Sequence, residues 1–176
     1  MGAITKLISK ISWPYKRKVL EPEIKYFNTL ASDGDIYITY RPWQLGNLFI
    51  PGGYDHVGIK IGNYIVDATV ENGVSKTLFK DWISTYKKYK VLHPTFCSKE
   101  EAKAAGEYAL ELIGRDYDKT FELDPSELYC SELIWFAYIF AANKQCIEPS
   151  QLFNHEIIYP ADFDRSSMWN IDFFFC

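Results

Sequence analysis

No stretch of this chain approaches the roughly 20 consecutive apolar residues that a membrane-spanning helix needs, so no span is expected. The start, Met1-Gly2-Ala3-Ile4-Thr5-Lys6-Leu7, lacks the long apolar run of a signal peptide, and Pro14 and the basic Lys16-Arg17-Lys18 follow early. Lys6 stands where an N-myristoylation signal carries Ser or Thr. Basic residues are not in excess: the net charge of −4 argues against nucleic acid as a partner, because phosphate binding needs a basic surface. Histidine is scarce, and His56, His93 and His155 lie far apart. The four cysteines, Cys97, Cys130, Cys146 and Cys176, show no C-x-x-C spacing. A zinc site of the ordinary kind is therefore not expected, no cofactor is implied, and scattered thiols in a chain of this size do not make a disulfide framework. Reduced cysteines in a cytosol-like compartment fit best, so the expected location is cytoplasmic. No internal repeat is visible.

What the chain does have is enough apolar sequence for one well-buried core: 176 residues, 48% apolar and 24% charged. Its five Trp, thirteen Tyr and twelve Phe exceed what a minimal core needs. The surplus either fills the core or lines an apolar substrate groove, with Tyr54, Tyr117 and Tyr129 as candidate substrate contacts. Residues 1–30 read as a helical appendage and 31–176 as the main domain. Ile4, Leu7, Ile8 and Ile11 recur at helical spacing with Lys6 and Lys10 on other faces. Such a helix packs on the domain or makes a peripheral membrane contact. A second helix is expected at about 21–30, ending at the Ala31-Ser32-Asp33-Gly34 turn.

From Asp35 the period changes to that of strands. Asp35 to Tyr40 is rich in β-branched and aromatic residues, and a long loop through Pro42, Gly46, Pro51 and Gly52-Gly53 follows it. Then comes a hairpin. Val57, Ile59 and Ile61 alternate, and Gly62-Asn63 suits a two-residue II′ turn. Pairing Ile61 with Tyr64 puts Gly58 opposite Asp67 and His56 opposite Thr69. Val57, Ile59, Ile61, Tyr64, Val66 and Ala68 then share the apolar face, and His56, Gly58, Asp67 and Thr69 share the other. Asp67 lies diagonal to His56, a backbone separation of roughly 7–8 Å that side chains can close over Gly58. An aspartate so placed either orients an imidazole or is an ordinary polar residue on a solvated strand face. Glu71 is a weaker candidate for the orienting role, beyond the paired region.

Tyr89 to His93 reads as another strand, and 170–175 as the last. Ser98-Lys99-Glu100-Glu101 is a capping box opening a helix over Ala102 to Ile113, which Gly114 stops. Cys97 sits just before that helix, with His93 nearby in sequence, and is a rival nucleophile. The acidic run Asp116, Asp118, Glu122, Asp124, Glu127 mimics a calcium loop but carries Phe121 where the turn glycine belongs, so calcium is not expected. Asp124 or Ser126 is expected to cap a helix that is apolar nearly all round through Ile139, the mark of a buried helix. Cys130 stands near its start. Read alone, it is a buried, inert core cysteine; with a base and a positive local field it is a nucleophile.

Several strings in one order carry a resemblance: Gly34-Asp35-Ile36, His56-Val57-Gly58-Ile59, Val66-Asp67-Ala68-Thr69, Gly73-Val74, Gly114 to Tyr117-Asp118, Tyr129-Cys130-Ser131-Glu132-Leu133 with Trp135, and Tyr159-Pro160-Ala161-Asp162-Phe163. Over about 33–165 the chain resembles the NlpC-type papain-like cysteine peptidase superfamily, in its circularly permuted YiiX-like branch, related to the lecithin:retinol acyltransferase group. In that branch histidine precedes cysteine, as here. The resemblance implies an α+β fold, a central antiparallel sheet of about five or six strands with the nucleophile helix packed on it. It implies Cys130 as nucleophile, His56 as general base and acid, and Asp67 at the third polar position, where glutamate or histidine often stands instead. The implied reaction is hydrolysis of an amide in a small peptide or cell-wall-type peptide through an acyl-enzyme. Lipid acyl hydrolysis or transfer, and a non-catalytic binding module on the same fold, are the alternatives.

Overall fold

The structure, a computed structural model, describes residues 15–42, 52–152 and 155–175. The amphipathic stretch Ile4 to Ile11 and most of the loop between Pro42 and Gly52 lie outside the described residues. In chain order the elements are α1 (Glu21–Thr29), β1 (Ile36–Tyr40), β2 (His56–Ile61), β3 (Tyr64–Thr69), β4 (Gly73–Leu78), α2 (Phe79–Ile83), β5 (Lys88–Pro94), α3 (Lys99–Glu111), α4 (Cys130–Ala142), β6 (Ser150–Leu152), β7 (His155–Ile157), α5 (Pro160–Arg165) and β8 (Trp169–Phe175). Six strands form one sheet in the order β4-β3-β2-β1-β5-β8, and its neighbouring strands pair antiparallel throughout. The fold is therefore α+β with a central antiparallel sheet, as expected.

The β2–β3 hairpin has the expected register, with Ile61 opposite Tyr64 and Ile59 opposite Val66. Gly62 supplies the positive φ of 54° that the first position of a II′ turn requires, and Asn63 stays out of the left-handed region. Val57, Ile59, Ile61, Val66 and Ala68 face α3 and α4 in one core, and only Tyr64 is exposed among the six residues assigned to that face. The other face is not solvated. Tyr26 and Phe27 of α1, Phe79, Trp82 and Ile83 of α2, and Tyr37, Ile65, Tyr86, Tyr89 and Val91 cover it as a second, aromatic core. His56 and Asp67 thus sit on a buried face, which raises the demand that their polar atoms be paired.

The short elements α2, β6, β7 and α5 are not expected from the sequence, and two further elements differ from expectation. Gly73–Leu78 is an edge strand paired along all of β3, although its short Val-x-Lys-x-Leu run carries only a weak period-2 signal. The second difference bears on function: neither Asp124 nor Ser126 caps α4, which begins at Cys130 with Tyr129 as its N-cap. The acidic segment is held as a loop instead. Leu128 N–H donates to the Asp116 carbonyl, Arg115 donates to the Pro125 carbonyl, and Glu132 accepts from the amides of Asp124 and Tyr129. These bonds fold the segment back over the helix start and leave it no room to be helical.

Glu132 carries a pH signature. Burial pushes its carboxyl up to about 8, helped by the Asp118 charge and opposed by the two amides. Its folded-state pKa is above the ordinary 4.5, so the stability tied to the neutral form is complete below about 4.5 and is lost as pH rises through about 8. Glu132→Gln is expected to flatten the decline of the melting temperature between pH 5 and 8, at a cost of about 1–3 kcal/mol for an amide left with a poorer acceptor. Melting curves of both proteins across that range test this, and an unchanged slope would assign the decline to other groups.

Candidate active site

Cys130 is the first residue of α4, so its side chain sits at the positive end of the helix, among first-turn amides that have no carbonyl four residues back to bond. The residue is only 6% exposed, with Sγ 3.8 Å from Ser131 Oγ. His56 is the first residue of β2, at the strand's end, with its ring within hydrogen-bonding reach of Cys130. Asp67 of β3 accepts the His56 Nε2 proton at 2.7 Å through Oδ2. That leaves Nδ1 as the ring nitrogen facing the sulfur. Burial disfavours a charged His56, but the Cys130 thiolate charge, the bond to Asp67 and the bond to Cys130 outweigh it and push the imidazole up to about 10. A histidine held in this way beside a thiol is the partner a cysteine nucleophile needs.

The sequence reading brings Cys130, His56 and Asp67 together, and the structure does the same. It adds two residues that reading did not contain. Trp82 of α2 donates its indole N–H to the same Asp67 Oδ2 at 2.8 Å. Tyr86 stacks flat on the His56 ring, with centroids 5.7 Å apart and 12° between planes. Gly58 makes the Trp82 contact possible: a Cβ there would lie 2.4 Å from Ile65 Cγ2 and 3.1 Å from Trp82 Cζ2. The space left empty over Gly58 is filled by an indole. The only trace of this in the sequence is aromatic residues at Trp82 and Tyr86, four apart, in a segment with no motif of its own.

The three tyrosines named as candidate substrate contacts have different surroundings. Tyr129 is buried, and its hydroxyl accepts the Ile158 amide at 3.0 Å, pinning the N-cap to the segment before α5. Tyr54 is buried in the first core, with Lys88 Nζ 4.9 Å from its ring centroid. Tyr117 is half-buried; burial, with the nearby Cys130 and Asp118 charges, raises its hydroxyl well above the ordinary tyrosine range. Of the three it is the one whose titrating group feels Cys130 while its ring stays partly open.

The rival thiol is poorly placed. Burial and the charge of Glu101 push Cys97 up to about 11, and His93 turns its Nδ1 to Asp35 at 2.7 Å. Cys146 lies in the core, and burial raises its thiol too. Glu71 is exposed on the turn after β3.

A six-stranded antiparallel sheet with a helix packed on one face, and a cysteine opening that helix opposite a strand histidine that precedes it in sequence, is the papain-like fold in permuted order. The family model described as permuted papain-like amidase enzyme, YaeF/YiiX, C92 family, matches residues 31–171, and the chain belongs to that family. Among solved structures it is similar to the one titled crystal structure of metalloprotein yiiX from Escherichia coli O157:H7, at 21% identity and a TM-score of 0.68, over 80% of this chain and 95% of that one. That likeness is one of fold. No curated protein matches. Among the described residues no helix is long and apolar enough to cross a membrane.

Proposed function

We propose that the protein is a cysteine amidase acting on a small peptide or cell-wall-type peptide, with Cys130 as nucleophile, His56 as acid and base, and Asp67 orienting His56. The observation that carries this reading is the linked contact Asp67–His56–Cys130, in which both partners push the imidazole's titration up against the effect of burial. Cys130 Sγ attacks the scissile carbonyl carbon, and the charge moves to the carbonyl oxygen, where the free amides at the start of α4 stabilise it. Collapse of the tetrahedral species expels the amine, which takes the Nδ1 proton of His56. The thioester is then attacked by water that gives its proton to Nδ1, and the acid product leaves. Asp67 keeps Nε2 protonated throughout, so Nδ1 is always the exchanging nitrogen.

The test is turnover by mass spectrometry of γ-linked and cell-wall peptides beside phospholipids and thioesters. Turnover of peptides supports the reading; turnover of phospholipids or thioesters alone rejects the amide and leaves an acyl-lipid enzyme of the same acyl-enzyme chemistry. The thiols give a second check. Iodoacetamide near neutral pH is expected to alkylate Cys130 before Cys97 and Cys146, whose thiols burial raises. Equal labelling of all three would mean that Cys130 is not activated.

A further inference from the structure

At the far end of β2 from His56, the sheet gathers three residues that the reaction above does not use. Asp35 precedes β1, and its carbonyl accepts the Lys60 amide; His93 lies on β5 and Asp172 on β8, so adjacent strands each bring one. Their donor atoms all lie within 4.8 Å of one another. His93 Nδ1 and Asp35 Oδ1 are 2.7 Å apart, although the two residues are 58 positions apart in sequence. Only strand pairing could reveal the group, since no short spacing motif marks it.

We propose that Asp35, His93 and Asp172 form a binding site for a single divalent transition-metal ion of the zinc type. The bond lengths of zinc to imidazole nitrogen and carboxylate oxygen put ligand atoms of one tetrahedral ion about 3.3 Å apart, so small side-chain rotations close the site. Two carboxylates match the dication's charge, the imidazole selects a transition metal over calcium or magnesium, and three protein ligands leave a fourth position for water. Outer contacts already hold the ligands. The Ser32 amide donates to Asp35 Oδ2 at 2.7 Å, which fixes Oδ1 toward His93, and the Tyr26 hydroxyl donates to Asp172 Oδ2 at 3.3 Å.

The backbone supplies an independent argument. Val91 pairs with Phe173 but Leu92 pairs with Ile171, so Asp172 is the extra residue of a β-bulge. A bulge interrupts the ladder and re-aims one side chain. Here the re-aimed side chain is a second carboxylate, delivered to a histidine–aspartate pair that is already satisfied as a pair. A cation gives that second negative charge a purpose. Binding replaces the proton between Nδ1 and Asp35 by the metal and releases it to solvent.

The test is zinc binding by the full chain carrying Cys130→Ser, which keeps the ion off the Cys130–His56 pair, followed by calorimetry and by metal content after dialysis. One zinc per chain is expected, with a melting temperature that rises with zinc concentration. Asp172→Asn is expected to weaken binding at least about tenfold, and His93→Ala to abolish it. Asp172 is exposed, so Asp172→Asn gives an answer even if His93→Ala folds poorly. Cobalt in place of zinc should show visible bands without thiolate charge-transfer absorption, which separates this site from Cys97. No uptake by the Cys130→Ser protein, or uptake that neither substitution changes, overturns the proposal.

Discussion

Cys130→Ala is expected to lower kcat/KM for amide substrates by on the order of 10⁴-fold or more, to the background left by binding and the helix amides. The same substitution should act on a second observable. The Cys130 charge is the foremost influence raising His56 against the opposing effect of burial, so removing it should move the imidazole well below about 10, toward the ordinary histidine value of 6.5. Histidine resonances followed by NMR titration read this directly. The chain should still fold, because alanine is a good helix former and fits the space of the cysteine at the first position of α4. Cys97→Ala is the control: its thiol is raised and its neighbouring histidine is engaged by Asp35, so turnover should not change. Full turnover in Cys130→Ala would place the nucleophile elsewhere, and loss of turnover with an unmoved His56 titration would break the proposed pairing.

How much of this could be read from the chain depends on the range of the interaction that determines it. The β2–β3 hairpin was legible because Gly62-Asn63 fixes a turn type and the alternation of Val57, Ile59 and Ile61 fixes the face. The capping box at Ser98 and Glu101 was legible for the same local reason, and the structure shows both of its bonds. The start of α4 was not. Local chemistry favours Asp124-Pro125-Ser126 as a helix start, but the bonds that decide come from Glu132, Asp116 and Arg115, and together they hold residues 122–128 as a loop. That correction matters chemically, because it puts Cys130 in the first turn, where the helix dipole is strongest. Asp67 could be placed on the His56 face by counting, but not as a buried residue, since the cover comes from α1 and α2 on the second core. Trp82 was invisible for the same reason: it reads as one more aromatic until the sheet brings Asp67 beneath its indole.

Asp67→Asn is the second large effect, about 10²–10⁴-fold in kcat, by analogy of role with the acid that orients the histidine of a serine protease. Asp67 Oδ2 takes both the His56 Nε2 and the Trp82 Nε1 protons, so what the substitution does depends on which amide atom replaces that oxygen. If the asparagine oxygen takes its place, both bonds survive and only the charge is lost; the imidazolium is then less stable, and the pH–rate profile shifts to lower pH on its basic limb. If the NH₂ takes it, the indole N–H meets a donor, and His56 can pair only as the tautomer with its proton on Nδ1. That tautomer has no lone pair facing Cys130 and cannot act as base toward it. Either way kcat falls. Trp82→Phe separates charge from orientation, since it keeps the Asp67 carboxylate and removes one of the two donors. Its expected loss is smaller, about 10- to 100-fold, with little shift in the pH profile, because a hydrogen bond to a charged acceptor is worth about 1.5–3 kcal/mol. Asp67→Ala should also reduce stability, by about 1–3 kcal/mol, as two buried donors lose their acceptor. Should Asp67→Asn turn over peptides at the normal rate with an unshifted profile, His56 would need no orienting carboxylate, and the contact of 2.7 Å would be a packing feature of the second core.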